Sequence, residues 1–236
     1  MIRYASLGAA LCLAMPFAAL AQAPAGYLTP FDLDAVRIVP APPADGSVRQ
    51  TAELAEVHRL IETRTPERLA QAEWDDQHED ASIFEATLGP SFDLAKLPAT
   101  AALLAIVDVE RKKAEGAKDI FLRNRPWAFD PSIKPCDGGD KTKKPRSSYP
   151  SGHSLTGYTL GLALASVLPE KAAAIEARAD DYAYSRRVCG AHYPSDTEAS
   201  HVLAVALVTA LLAKPAVASK IDAARTELRA AGLTSR

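Results

Sequence analysis

Cysteine is scarce in this chain, with 3 in 236 residues, and aromatic residues make up only 6 %. The first excludes a small fold stapled by many disulfides. The second, together with the lack of long alternating Val/Ile/Thr/Tyr stretches, argues against a β-sandwich or barrel. Charge of either sign is not in excess: 27 Lys and Arg face 29 Asp and Glu, for a net charge of −2. That balance excludes a polybasic nucleic-acid binder, and we expect no nucleic-acid partner. The 17 Pro and 12 Gly follow no fixed period, which excludes a collagen-like chain. Beyond the N-terminus the longest apolar runs are 155–168 and 203–213. Both fall short of the ~20 residues a membrane span needs, so we expect buried core helices and no span in the mature chain. What is present, 48 % hydrophobic and 24 % charged residues, is enough to bury a real core.

The first 21 residues have the form of a secretory leader. Arg3 supplies the positive start, 5–21 is apolar or small, and Ala19-Leu20-Ala21 is a small-x-small cleavage site. We expect cleavage after Ala21 and a periplasmic or secreted product; an uncleaved anchor is the alternative. Cleavage removes Cys12 and leaves Cys136 and Cys189, an even pair that reads as a disulfide in an exported protein. Two unpaired buried thiols are the alternative there.

Residues 22–45 are rich in Pro and Ala and read as an extended arm; 46–236 reads as one all-α domain, a helical bundle. Leu54, Val57, Leu60 and Ile61 recur at helical spacing. Thr65-Pro66 opens a charged helix running to about Phe84, and Pro98 opens the next. Further helices are expected at about 154–167, 169–187, 195–213 and 215–231. The stretch 126–152 reads as a long loop.

Chemistry-bearing residues cluster at three places. Lys118 and Arg125 are seven apart, two turns of a helix that Pro126 would stop, so both can share one face. Pro150-Ser151-Gly152-His153 leads into an apolar helix, whose free N–H groups attract an anion beside a hydroxyl and an imidazole. Arg186 is followed by His192 and, four residues on, by Asp196, a carboxylate able to fix the tautomer of the imidazole. Taken singly, each has a plainer reading: a solvated basic face, a Ser-capped helix with a surface His, a structural His–Asp pair. Taken together, three cations, two His, an orienting Asp and an anion nest suit binding and transfer of a phosphoryl group. The chain has no metal-ligand spacing such as H-E-x-x-H or paired Cys, and we expect no metal and no cofactor. His58, His78 and His201 have no partner pattern and read as surface or structural.

The order Lys118-x6-Arg125-Pro126, Pro150-Ser151-Gly152-His153, Ser185-Arg186-x5-His192-x3-Asp196 resembles the three-part motif of the type 2 phosphatidic acid phosphatase superfamily. The closer resemblance is to the bacterial class A non-specific acid phosphatases. It extends to Gly26-Tyr27-Leu28, to the Pro-rich run at 40–43 and to Cys189-Gly190, and it is faint over 65–97. The resemblance implies the all-α fold of the acid phosphatases and vanadium haloperoxidases. It implies His192 as a nucleophile forming a phosphohistidine, Asp196 as its orienting carboxylate and His153 as the general acid. Lys118, Arg125, Ser151, Gly152 and Arg186 would bind the phosphate. Its substrates would be small monoesters: nucleotides, sugar phosphates and aryl phosphates. Phosphate transfer to an alcohol and assembly into a homo-oligomer are further expectations. A vanadium-dependent haloperoxidase, which shares the pocket, is the alternative; its usual length is much greater. After Asp196 this chain has Ala199-Ser200-His201 where the family carries an Ala-Gly-Arg type continuation, a departure we expect to leave the chemistry untouched. Lys141, Lys143, Lys144 and Arg146 near the mouth would either favour polyanionic substrates or merely solubilise the loop.

Overall fold

The computed structural model describes residues 26–235. The leader and its cleavage site lie outside the described residues. No strand occurs among those described, and the helices in chain order are α1 (Ala35–Ile38), α2 (Val48–Thr63), α3 (Pro66–Gln77), α4 (Glu85–Leu88), α5 (Pro98–Ala114), α6 (Lys118–Phe121), α7 (Pro126–Phe129), α8 (Gly139–Thr142), α9 (Gly152–Val167), α10 (Ala172–Val188), α11 (Pro194–Leu212) and α12 (Pro215–Ala230).

α9 is the central helix. It is apolar around its circumference rather than along one stripe, the pattern of a helix buried on all sides. α10 and α11 pack on it, α5 and α12 close the far side, and α2 and α3 lie against α10. Close approach of α9 and α10 depends on Gly157, where a Cβ would stand 2.7 Å from the Tyr182 ring. Thr156 and Thr159 satisfy their hydroxyls on carbonyls one turn back, Gly152 at 3.1 Å and Leu155 at 2.7 Å, so neither costs an unpaired polar group in the core. Leu28 and Val39 of the expected arm are buried against this core, and the arm carries one helical turn, α1.

Several boundaries differ from expectation. α3 ends at Gln77, because His78 is non-helical and its Nδ1 lies 2.7 Å from the Trp74 carbonyl; Asp80 then caps a separate 3-10 turn, Ala81–Phe84. Lys118 and Arg125 do not share a helix. α6 is a single turn, ended by Leu122 in the left-handed region (φ 49°), and Pro126 opens α7 instead of stopping α6. The expected loop at 126–152 holds the short α7 and α8. By length and composition α11 is apolar enough to cross a membrane, and 56 % of that stretch is buried inside the bundle.

Candidate active site

His192 and Asp196 meet at the start of α11, but not as two residues stacked on one helical turn. His192 precedes the helix and Tyr193 is the N-cap. Asp196, at the third helical position, reaches back to accept the Tyr193 N–H at 2.9 Å, the carboxylate half of a capping box. The same Oδ2 lies 3.2 Å from His192 Nδ1 and accepts the Ser148 hydroxyl at 2.6 Å. Oδ1 accepts from Arg123 Nη1 at 2.6 Å. On the other side of the ring, His192 Nε2 lies 3.2 Å from Arg125 Nη1, a group that can only donate. An acceptor at Nδ1 and a donor at Nε2 select the tautomer with the proton on Nδ1 and a bare lone pair on Nε2. Burial, then Arg125, Arg186 and Lys118, pushes His192 well below the usual imidazole range, so that lone pair persists into acid. Burial pushes Asp196 up, against the pull of Arg123, Ser148 and the Tyr193 N–H.

The cations come from three elements. Lys118 opens α6 and pairs with Glu115 at 3.2 Å. Its ammonium lies over the start of α9, where a Cβ on Gly152 would meet Nζ at 2.7 Å, so only glycine leaves that nitrogen its place. Arg125 caps α7 and is braced by the carbonyls of Ala191 (3.2 Å) and Ser147 (3.3 Å). Arg186, in the last turn of α10, is 1 % exposed and paired at 2.9 Å with both Asp76 and Asp137. Its Nε is buried with no hydrogen-bond partner among the described residues, and its Nη1 faces Asp76 Oδ1 as an ion pair without hydrogen-bond alignment. Buried donors of this kind are costly unless something accepts from them. Burial lowers the pKa of Lys118 and of Arg125, and Arg186 lowers Arg125 further.

Ser151 is the N-cap of α9 and accepts from Ser154 through both N–H (3.3 Å) and hydroxyl (3.0 Å), which leaves its own proton to donate. Gly152 is the first helical residue, with an N–H that has no partner within the helix. His153 follows, its Nε2 3.1 Å from the Asp76 carbonyl and its Nδ1 3.8 Å from Glu79 Oε2. Burial and Arg186 hold His153 well below the usual imidazole range; the Asp76 carbonyl pulls the other way. The two segments are tied directly: Ser151 N–H donates to the Asp196 carbonyl at 3.2 Å. The Ser200 hydroxyl lies 2.8 Å from both the Ser151 and the Asp196 carbonyls. Through Ser200 the Ala199-Ser200-His201 stretch therefore reaches the layer behind the site.

Cys136 and Cys189 are joined in a disulfide. Cys189 sits in the spacer between Arg186 and His192, and Cys136 precedes Asp137, so the bridge holds that aspartate beside Arg186. Of the basic loop residues, Lys141, Lys144 and Arg146 are exposed, and only Lys143 is close enough to act on His153. The other histidines are engaged elsewhere: His58 pairs with Asp130 at 2.9 Å, His78 stacks on Trp74, and His201 stacks on Tyr158.

Sequence reasoning missed the acidic and second-layer partners. Asp76 and Glu79 end or follow α3 in a region with no motif. Glu115 and Asp137 are isolated acids. Arg123 stands two residues before Arg125, inside a motif block, and that repeat of Arg was the available signal.

The PAP2 superfamily pattern matches residues 94–218, which span Lys118 through Asp196. A non-specific acid phosphatase of Providencia stuartii is 29 % identical over 201 residues, 83 % of this chain and 81 % of the relative. An acid phosphatase of Zymomonas mobilis is 30 % identical over 206 residues, 85 % of this chain and 78 % of the relative. A non-specific acid phosphatase of Salmonella typhimurium is 32 % identical over 114 residues, about half of either chain. An all-α bundle, the three motif blocks gathered around one histidine, and relatives matched over most of their length agree: the chain belongs to the PAP2 superfamily, on its acid phosphatase branch.

Proposed function

We propose that the protein hydrolyses small phosphate monoesters by double displacement through a phosphohistidine on His192. The observation that carries this is the buried imidazole held between Asp196 at Nδ1 and Arg125 at Nε2, which leaves a lone pair aimed among cations. In the first step Nε2 attacks phosphorus and the bond to the ester oxygen breaks. His153 gives that oxygen its proton, and the alcohol departs. In the second step neutral His153 takes a proton from water, the oxygen attacks phosphorus, and the P–N bond breaks to return His192. Arg125, Arg186, Lys118, the Ser151 hydroxyl and the Gly152 N–H hold the phosphate oxygens, and the buried Nε of Arg186 is a donor with no partner of its own. A bound dianion offsets the charge of Arg186, the neighbour that most lowers His153, so substrate itself raises the proton affinity of the general acid.

Nucleotides, sugar phosphates and aryl phosphates fit this chemistry, with alcohols as alternative acceptors for the phosphoryl group. In this reading residues 1–21 are a leader cleaved after Ala21, 22–45 an arm and 46–236 the catalytic domain, exported to the periplasm or beyond. The disulfide suits such an oxidising compartment. The test is hydrolysis of p-nitrophenyl phosphate by residues 22–236 at pH about 5 to 7 with EDTA present. We expect turnover that His192→Ala lowers by at least ~10³-fold. No turnover by a folded wild-type protein would overturn the proposal.

A further inference from the structure

Behind Asp196, on the side away from His192, lies a buried charge cluster that the mechanism above does not use. Arg123, with 2 % of its side chain exposed, sends Nη1 to Asp196 Oδ1 at 2.6 Å and to the Ser195 hydroxyl at 2.7 Å. Its Nη2 donates to Glu53 Oε2 at 2.7 Å, and the Ser195 hydroxyl donates to the same oxygen at 2.8 Å. The guanidinium lies 4.1 Å over the Tyr193 ring, which fixes its plane. Its backbone carbonyl accepts the Ser148 N–H at 3.2 Å, and the Ser148 hydroxyl is the donor to Asp196 Oδ2. Side chain and main chain of one residue thus converge on both oxygens of the same carboxylate.

We propose that Arg123, clamped by Glu53 and Ser195, is a positioning residue that keeps Asp196 ionised and aimed at His192 Nδ1, and thereby sets the tautomer of the attacking imidazole. The proposal deepens the phosphohistidine reading and rests on it. Desolvation alone would drive a carboxyl as buried as Asp196 to take a proton. A protonated Asp196 could no longer hold the Nδ1 proton by charge, and the imidazole would be free to carry its proton on Nε2, where it blocks attack. Arg123 counters this from the face that His192 leaves open. Glu53 balances Arg123 in turn, so the charges alternate along Glu53–Arg123–Asp196 and end on the neutral His192 imidazole. The other charged or titratable groups facing this file are Arg49 on Glu53, Arg125, Arg186, Lys118 and His153 on His192, and the phenols of Tyr149 and Tyr193. None of them donates to Asp196 Oδ1 among the described hydrogen bonds.

Arg123→Met and Arg123→Lys separate this role from substrate binding. The Met variant is expected to lower kcat by about 100-fold with KM and inhibition by inorganic phosphate changed less than about threefold. Lys should restore part of the loss. Imidazole ¹⁵N NMR reads the tautomer without turnover: the wild type should show His192 protonated at Nδ1, and the Met variant should lose that preference. The NMR measurement still tests Arg123 if the phosphatase reading itself fails. Should Arg123→Met not fold, Arg123→Lys and Glu53→Gln carry the test, each expected to lower kcat severalfold at unchanged KM. A folded variant with unchanged kcat and unchanged His192 spectrum would overturn the proposal. So would a fall in kcat matched by an equal loss of phosphate affinity.

Discussion

Removing the Cys136–Cys189 bridge tests how far the site depends on a cross-link. The two residues are 53 apart in sequence. A closed loop of that length removes about 14 cal/mol/K of entropy from the unfolded chain in the loop-closure model, or about 4 kcal/mol at 25 °C. For a domain of this size each kcal/mol moves the melting temperature by about 2–4 °C, so the expected drop is roughly 8–16 °C. Cys136→Ala, Cys189→Ala and the double variant should lose the same amount, because any of them removes the whole bond. Thermal melts followed by circular dichroism, with and without reductant for the wild type, provide the assay. Reduced wild type should melt with the variants, and reductant should leave the variants unmoved. A shift below about 3 °C, or a double variant much worse than either single one, would refute the entropic reasoning.

Other expectations follow from the same geometry. His153→Ala should slow hydrolysis of alkyl phosphates about 10²-fold or more and of p-nitrophenyl phosphate much less, because a good leaving group needs little protonation; equal losses for both would contradict the general-acid role. His192 and His153 both have folded pKa values pushed well below 6.5 by burial and cationic neighbours, and His153 is held there by Arg186 in particular. Below pH 6.5 the unfolded chain binds protons that the folded chain does not. Stability should therefore fall on acidification, by about 1.4 kcal/mol per pH unit for each histidine once well under 6.5. Melting from pH 7 to 5 checks this, and His153→Gln should flatten the slope. Gly190, in the spacer between Arg186 and His192, has φ 75°, and a Cβ there would meet Ile61 at 2.9 Å and Ile133 at 3.1 Å. Gly190→Ala should cost about 1–3 kcal/mol in denaturant melts; a neutral result would contradict the assigned backbone.

How much of this was legible in the sequence differs from element to element. Helices opened by Pro, such as α11 and α12, were readable to within a residue because proline fixes φ at the first turn, and Pro215 also marks the end of α11. The residues proposed for the site stood out because the proposed phosphoryl chemistry asks for cations, imidazoles and a carboxylate together, and the fold gathers several of them around His192. Their local geometry was not legible. Spacing suggested that Lys118 and Arg125 share a helix, yet Leu122 takes a left-handed conformation that no propensity assigns to leucine. Asp196 was correctly paired with His192, but through an N-cap rather than a helical turn. Asp76 and Glu53 left no local mark, because their role depends on which helix end packs against Arg186 and Arg123.

Direct trapping of the covalent intermediate tests the phosphohistidine step. Wild-type protein is mixed with excess substrate, quenched within milliseconds in alkaline denaturant that preserves phosphohistidine, and digested for mass spectrometry. The account predicts one phosphoryl group on the peptide containing His192, absent from His192→Ala. Brisk turnover with no phosphoryl group on His192, at a time when a burst of alcohol has already been released, would contradict it.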